Sequence, residues 1–275
     1  MTVFVGTDNK AVVRTAWDLP IIQGFARALH RRLSYLGLSG PLVQDLVDWR
    51  SYLGCCTTVE RSRSGKRYEA EDESNRHLLM VNVYAYGLSR SFSMLRGQVE
   101  DLLLTGHDLD HRRPPLATVD AGGTVRFGYD LLNLDFEGGF GYQSQNGAKR
   151  LRALEAMFGR QEGSSFLLFL TLNVRDTVDG ELKSYLTESR ANADDETRRL
   201  LDWYAGTGIG SKAQRLKAGV PLFIGQHASA RRFDCYCFPP VTYLGNGNNT
   251  MVHFAFQMAW REQSLPVIHR QAVGE

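Results

Sequence analysis

The segment that most restricts the fold is residues 164–174, SSFLLFLTLNV, an almost unbroken run of apolar residues about as long as one strand. A strand that is apolar on both faces needs cover on both faces, which parallel sheets obtain from helices packed above and below them. A half-exposed strand would alternate apolar and polar residues instead. The run therefore predicts the centre of a parallel sheet in an α/β protein.

The segments before this run alternate between strand-like and helix-like patterns. Helical spacing is clear in residues 148–160, where Leu151, Leu154, Met157 and Phe158 share one face. Alternation of strands with helices is typical of a doubly wound sheet. We expect strands within 34–40, 55–61, 93–104 and 126–136, and helices within 9–32, 41–53, 75–88 and 148–160.

The C-terminal part has a different pattern. Residues 231–244 and 248–260 resemble strands and are joined through GNGN. In the second of them, Val252, Phe254 and Phe256 alternate with His253 and Ala255. A period of two next to an Asn/Gly turn predicts an antiparallel hairpin. The predicted fold class is therefore α/β: a doubly wound, mostly parallel seven-stranded sheet with a C-terminal antiparallel hairpin.

Composition narrows the class of protein. The 275 residues are 43% hydrophobic and 23% charged, which suffices for a full core, and the net charge of +2 permits a nucleic-acid partner without requiring one. No apolar run approaches the roughly 20 residues that cross a bilayer, no secretion signal is evident, and four cysteines are too few for a disulfide scaffold. We expect a cytoplasmic single domain over 1–275, with a helical segment in 1–32, insertions or a cap at 107–126 and 177–230, and no membrane partner.

Polar residues and glycines follow the predicted strands where each strand ends. In open parallel sheets, ligands bind in the crevice beyond the carboxyl ends of the strands, so such residues are expected to converge there. Asn133 and Asp135 are the strongest candidates, because polar groups at the end of an apolar strand carry a cost if they are buried unpaired. The residues expected at this edge are Gly37, Gly40, Glu60, Glu100, Asp101, Asn133, Asp135, Asn173 and Arg175.

With these elements the chain resembles the class I S-adenosylmethionine-dependent methyltransferases, from about residue 33 to 260. Their fold is a seven-stranded doubly wound sheet whose last strand is antiparallel and inserted beside the sixth. The glycines of YLGLSG, Gly37 and Gly40, lie where that family has its glycine-rich first loop. Glu60 closes the second strand 20 residues after Gly40, a spacing at which an acid reaches ribose hydroxyls in dinucleotide folds. The resemblance implies S-adenosylmethionine (SAM) as the cofactor.

The same resemblance implies roles for the other residues at the edge. Gly37 and Gly40 would hold the amino-acid end of the cofactor, Glu60 its ribose, and Asp101 or Glu100 its adenine. Asp135 and Asn133 would orient or deprotonate the methyl acceptor. Phe136, Asn173 and Arg175 would contact the substrate, for which a nucleic acid is favoured.

The chain also departs from the family. Only two glycines remain in the first loop, and the tip of the fourth strand is neither the Asn/Asp-Pro-Pro-aromatic motif of amino-methylating DNA enzymes nor a Pro-Cys pair. The alternative is therefore a catalytically degenerate, methyltransferase-like subunit that binds protein partners in a larger assembly. A different nucleotide-dependent enzyme also stays open, although no GxxxxGK[ST] motif is present.

Spacing alone also suggests a metal pair, His107 and His111, four residues apart in HDLDH. No third ligand and no helix signal accompany them, and Pro114 and Pro115 follow closely. We interpret this stretch as a surface loop and predict no metal site.

Overall fold

A computed structural model of the protein describes residues 3–4, 9–62, 66–136, 147–174, 181–192, 194–206, 211–245, 249–263 and 265–268. The strands are β1 (Val3–Phe4), β2 (Leu33–Gly37), β3 (Leu53–Glu60), β4 (Phe92–Arg96), β5 (Ala117–Val119), β6 (Val125–Phe127), β7 (Leu131–Asp135), β8 (Phe166–Asn173), β9 (Phe233–Cys237), β10 (Val241–Leu244) and β11 (Thr250–Trp260). The α-helices are α1 (Asn9–Val12), α2 (Leu19–Leu29), α3 (Gln44–Trp49), α4 (Lys66–Ala85), α5 (Val99–Thr105), α6 (Gly147–Arg160), α7 (Glu181–Ser189), α8 (Asp195–Gly206) and α9 (Lys212–Ala230).

The main sheet confirms the predicted fold class. Its strand order is β4-β3-β2-β7-β8-β11-β10, extended by the two-residue β1, and β9 also pairs with β11. Strands β4, β3, β2, β7 and β8 run parallel, whereas β11 is antiparallel to β8, β9 and β10. The last strand, β11, thus lies between β8 on one side and β9 and β10 on the other. β9 and β10 pair with different parts of β11 and together occupy one strand position.

The predicted central strand is confirmed at β8, where every residue is buried. Helices cover both faces of the sheet. Residues of α5, α6, α7, α8 and α9 pack in the core on one side, and those of α2, α3 and α4 pack in a second core on the other. Among the described residues, no helix has both the length and the apolar character needed to cross a membrane.

The N-terminal segment, residues 9–29, forms one continuous helical stretch whose middle, Val13–Asp18, is a π-helix. Pro20 lies two residues after this segment and has no N–H to donate to the preceding turn, which fits a local widening of the helix at this point. The stretch buries Val13, Trp17, Ile21 and Phe25 against the sheet. It therefore lies over one face of the sheet as part of the core.

Three boundaries differ from the predictions. The third strand, β4, ends at Arg96 because Gly97 turns the chain at φ +124°, so Glu100 and Asp101 lie in the first turn of α5 rather than at a strand tip. Acids favour such a first turn because the helix dipole is positive there. The helix predicted within 75–88 already begins at Lys66. The loop expected at 107–126 ends in the short hairpin of β5 and β6.

Candidate active site

The carboxyl ends of the parallel strands meet at one edge, as predicted. Gly37 at the end of β2 pairs in register with Asn133 of β7 on one side and with Thr58 of β3 on the other. The chain winds away from β2 in both directions, toward β3 and β4 and, later, toward β7 and β8. Gly37 and Asn133 therefore lie at the topological switch point, where open α/β sheets bind ligands.

The turn after β2 is tied to both neighbouring strands. The N–H of Leu38 donates to the Asn133 carbonyl at 3.1 Å, and the Thr58 hydroxyl donates to the Gly37 carbonyl at 3.2 Å. Gly40 adopts a left-handed φ of +63°, and a Cβ at Gly40 would meet no described atom within 4 Å. The backbone at Gly40 is thus open to an approaching ligand.

Gly37 has a different reason to be glycine. A Cβ at Gly37 would lie 2.7 Å from the Asn133 carbonyl oxygen and against the Tyr35 hydroxyl. Real Cβ atoms do not come so close to backbone, so a side chain here would push β2 and β7 apart. Packing inside the protein therefore explains why residue 37 is glycine. At residue 40, no neighbouring atom of the described part of the chain excludes a side chain.

Beneath this turn, Tyr35, Asp45 and Asn133 form a buried hydrogen-bonded cluster. The Tyr35 hydroxyl donates to the Asp45 carboxylate, and Asn133 Nδ2 donates to the same Oδ2 at 3.1 Å. Burial raises the pKa of Asp45 despite these donors, and burial together with the Asp45 charge raises the pKa of Tyr35. The amide of Asn133, predicted to face a substrate, is thus engaged by Asp45.

Glu60, at the end of β3, is a mostly buried acid to which no described residue donates a hydrogen bond. Only 8% of the residue is exposed. The pKa of Glu60 is raised to about 7, mainly by burial. The charge of Arg76 opposes this shift, and the charges of Asp72 and Asp45 add to it. A mostly buried acceptor without a donor is costly, which makes Glu60 a candidate for binding a ligand that carries hydrogen-bond donors.

Asp135 ends β7 and is paired within the protein. Its carboxylate contacts the ammonium group of Lys10, which lies in the N-terminal segment. That segment is anchored nearby, because Asn9 Nδ2 donates to the Leu244 carbonyl at 2.9 Å. Lys10 is 57% exposed while Asp135 is 18% exposed, so the pair lies at the surface of the crevice and a ligand can replace Lys10.

Behind this pair, the N-terminal segment makes a second, buried contact with the sheet. His253 Nε2 lies 2.8 Å from Asp18 Oδ1, and His253 Nδ1 lies 2.9 Å from the Thr171 hydroxyl. Thr171 in turn faces Asp135 in the register of β7 and β8. Burial raises the pKa of Asp18, and the pairing with His253 opposes that shift.

The remaining predicted residues do not all reach the crevice. Glu100 is buried against Arg150 at 3.0 Å, and Asp101 is exposed and paired with Lys149 at 2.7 Å. Phe136 is 2% exposed and lies in the core with the Arg150 guanidinium 5.0 Å from its ring centre, so its ring has no free face for a base.

Asn173 ends β8 at the expected edge, opposite Met251. Arg175 lies outside the described residues, so its predicted substrate contact stays a prediction. Among the residues that the structure describes, no three His, Cys, Asp or Glu side chains come together as metal ligands would.

Lys10, Asp18, Asp45 and His253 carry no clear signal in the sequence. Lys10, Asp18 and Asp45 lie in short helical segments that contain other polar residues, and His253 lies in the largely apolar β11, so nothing in the local pattern singles them out. Their partners are distant in the chain, for example 125 residues apart for Lys10 and Asp135. Only the fold brings them together.

No protein-family model matches the chain, and neither does any curated protein. Solved structures do match. The O-methyltransferase TomG from Streptomyces achromogenes, solved in complex with SAM, is 13% identical and aligns over 93% of this chain and 91% of its own, with a TM-score of 0.41. The O-methyltransferase from Bacillus cereus, solved with SAH, is 12% identical over 91% and 90%, with a TM-score of 0.41. The precorrin-6y C5,15-methyltransferase from Geobacter metallireducens is 10% identical over 86% and 87%, with a TM-score of 0.36.

Proposed function

We propose that the chain is a SAM-dependent methyltransferase. The observation that carries the proposal is the Glu60 carboxyl group, buried without a donor among the described residues, on the strand beside the Gly37–Asn133 switch point. A ligand with adjacent hydroxyl groups supplies the donors that this carboxyl group lacks. A ribose has such hydroxyl groups, and the end of the second strand is where doubly wound folds bind one.

The residues present fit the cofactor at two points. Glu60 would accept hydrogen bonds from the ribose hydroxyls, and the open, left-handed backbone at Gly40 would let the amino-acid end approach the turn. SAM, when bound, supplies an activated methyl group on a sulfonium centre. The roles predicted for Glu100 and Asp101 at the adenine receive less support, because both acids are paired with basic residues of α6.

Asp135 is the residue that we assign to the acceptor. Holding the reacting groups in line supplies most of the catalysis in such a transfer, and a carboxylate at the crevice can orient the acceptor and take its proton. Lys10 keeps the Asp135 carboxylate paired until an acceptor replaces it. Asn133 acts indirectly, because its amide is bonded to Asp45.

For the acceptor itself we propose a nucleic acid. Arg61 directly follows Glu60, and Arg96 ends the neighbouring strand β4, so basic side chains lie beside the crevice. Guanidinium groups in such a position suit phosphates. We further propose a cytoplasmic location, since Cys55, Cys56, Cys235 and Cys237 are all free thiols, as reducing compartments keep them.

A second candidate is a binding subunit that has lost catalysis. The observation in its favour is that both residues expected to face the acceptor have partners inside the protein, Asn133 with Asp45 and Asp135 with Lys10. On this hypothesis Glu60 still binds the cofactor, but no methyl group is transferred.

Calorimetric titration with SAM at pH 8 tests cofactor binding at Glu60, which both candidate functions require. We expect micromolar binding by the wild type and binding at least tenfold weaker for Glu60→Gln, because the amide offers the ribose one acceptor and no charge. Glu188→Gln, an exposed acid of α7, is the matched control and should bind like the wild type. No binding by a folded wild type would refute the proposal.

Transfer of a radiolabelled methyl group separates the two candidates. With RNA, DNA and a panel of small phenols as acceptors, the enzyme should label one class, and Asp135→Asn should lower that rate at least tenfold without changing SAM affinity. Tight SAM binding with no label in any class would favour the binding subunit. Label confined to the phenols would refute the nucleic-acid acceptor.

A further inference from the structure

The turns that lead into β2, β3 and β4 each contain an exposed arginine. Arg32 directly precedes β2, Arg50 lies between α3 and β3, and Arg90 lies in a short 3₁₀ helix before β4. These strands are neighbours in the sheet. Because neighbouring strands are about 4.8 Å apart, the three turns span about 10 Å along the amino ends of the strands. We call Arg32, Arg50 and Arg90 the arginine row.

The turns of the arginine row pack against one another. Arg32 donates from Nε to the Ser51 carbonyl and from Nη2 to the Arg50 carbonyl, both at 3.3 Å. The short helix that carries Arg90 contacts β3, the strand that follows these two carbonyls. The fold thus holds three cationic side chains side by side, although like charges repel one another.

No acid of the described chain forms an ion pair with the arginine row. The turns themselves contain no Asp or Glu, since none occurs in residues 26–33, 49–54 or 86–92. The acids beside the first two turns are already bound, Asp48 by Arg14 at 2.8 Å and Asp130 by Arg31 at 2.6 Å. The charge of the row is therefore left uncompensated within the described residues.

Arginines farther along the same end of the sheet are paired. In the turns at β9 and β11, Arg232 lies 2.9 Å from Glu262, and Arg261 lies 2.9 Å from Asp234. The positive charge at this end of the sheet is therefore concentrated at β2, β3 and β4 in the described chain. A local concentration of unpaired arginines suits a polyanion.

An exposed aromatic ring lies beside the arginine row. Tyr86 is 41% exposed and belongs to the turn between α4 and β4, four residues before Arg90. Basic side chains that follow a phosphate backbone, together with an aromatic ring on which a base can stack, are typical of sites for single-stranded nucleic acid. The ring therefore favours a nucleic acid over other polyanions.

We infer that the arginine row binds the phosphate backbone of a single-stranded nucleic acid, with a base stacked on Tyr86. A span of about 10 Å faces roughly three phosphates of one strand. The row lies at the opposite end of β3 from Glu60, about 23 Å away at 3.3 Å per residue. The inference is thus independent of the proposed methyl transfer, and it adds a second surface to the crevice.

The competing explanation is a role in stability alone. The row follows the C-terminal ends of α2, α3 and α4, and the helix dipole favours cations at such ends. The two explanations differ in what they predict for binding: only the nucleic-acid surface makes affinity and its dependence on salt sensitive to the row.

Fluorescence anisotropy with a labelled oligouridylate of about 20 nucleotides, between about 50 and 300 mM salt, tests the inference. We expect the wild type to bind, and a variant that combines Arg32→Gln, Arg50→Gln and Arg90→Gln to bind at least tenfold more weakly. The slope of log Kd against log salt concentration should fall by about 2, because each phosphate contact on a single strand contributes about 0.7.

A matched control removes the same charge from exposed positions elsewhere, by combining Arg152→Gln, Arg199→Gln and Arg232→Gln. It should bind within twofold of the wild type with an unchanged salt slope. Equal weakening in both variants would show an effect of net charge alone and would overturn the inference. So would a wild type that binds phosphatidylglycerol vesicles but not the oligonucleotide, or one that binds neither.

Circular dichroism and the unfolding midpoint confirm that each variant is folded. A row variant that unfolds at a lower temperature but binds the oligonucleotide like the wild type would assign the row to stability and overturn the inference.

Two single variants separate the parts of the inference. Tyr86→Ala should weaken binding of the single strand at least fivefold without changing the salt slope, because stacking is not ionic. Unchanged binding by Tyr86→Ala would refute the single-stranded assignment. Glu60→Gln should bind the oligonucleotide like the wild type while it loses SAM affinity, so a failure of the cofactor proposal is seen separately from a failure of this one.

Discussion

Two buried acids, one at each edge of the sheet, differ in the number of hydrogen bonds that their carboxyl groups accept from the protein. At the amino edge, Asp130 precedes β7 and accepts two hydrogen bonds from Arg31 at 2.6 Å and two from Ser34 at 2.8 Å. At the carboxyl edge, Glu60 ends β3 and accepts none from any described residue. The fold thus satisfies the Asp130 carboxylate completely and gives the Glu60 carboxyl group no described donor, a difference that fits the ligand proposed for Glu60.

The surroundings of the two acids differ in the same way. A cleft of about 210 Å³ lies beside Asp130, but its polar groups bond to one another, as Ser165 does to Gln263 at 2.7 Å. The turn beside Glu60 instead contains the open, left-handed Gly40. The polar groups of the cleft beside Asp130 already have hydrogen-bond partners within the protein, so they stabilise the fold. The open turn beside Glu60, an acid without a described donor, instead suits a ligand.

The largest expected effect is at the amino edge. Asp130→Ala removes four hydrogen bonds and leaves the buried backbone N–H of Ser34 without its acceptor, so the free energy of unfolding should fall by about 3 kcal/mol. Urea denaturation measures the change, and SAM affinity should stay within twofold of the wild type. A tenfold loss of SAM affinity in a folded Asp130→Ala protein would contradict the assignment of a structural role to Asp130 and of SAM binding to the Glu60 edge.

A change of about the same size, but of opposite sign, is expected for Glu60→Gln without ligand. The folded pKa of about 7 lies above the usual value of 4.5, so folding favours the protonated acid, and the wild type loses stability as pH rises from about 4.5 to 7. The glutamine variant has no such loss and should be more stable by about 3 kcal/mol at pH 8, with no advantage at pH 4. Urea titrations at both pH values make the comparison, and a variant less stable at pH 8 would identify Glu60 as a structural acid.

The smallest effects compare two left-handed glycines, Gly40 at the carboxyl edge and Gly163 near the amino edge, with φ values of +63° and +93°. At both positions a Cβ would meet no described atom within 4 Å, so alanine costs only backbone strain, about 1 kcal/mol at each. Thermal unfolding should show similar losses for both variants. Only Gly40→Ala should weaken SAM binding, and equal binding by both would remove Gly40 from the site.

The fold was predictable because its strongest signals are local. The unbroken apolar run of β8 and the alternation in β11 each identify a strand without knowledge of its neighbours, and their order along the chain then predicts the sheet. The prediction for Glu100 and Asp101 was wrong in placement because a single glycine, Gly97, ends β4 early. A sequence does not show where a strand ends when the next helix is also apolar.

The site was predictable only in part, for a related reason. Strand order predicts which residues share an edge, and Gly37, Asn133 and Glu60 do share one. Whether a polar side chain faces the crevice or bonds inward depends on partners far along the chain, such as Asp45 for Asn133 and Lys10 for Asp135. Those contacts become visible only with the fold.

The sharpest single measurement is the pKa of the Glu60 carboxyl group with and without SAM, obtained by carbon-detected NMR of protein labelled at the glutamate side chains and assigned with Glu60→Gln. We expect a pKa of about 7 in the free protein and a value at least one unit lower with SAM bound, because hydroxyl donors favour the carboxylate. A pKa near 4.5 in the free protein, or one that SAM leaves unchanged while it binds, would contradict the role assigned to Glu60.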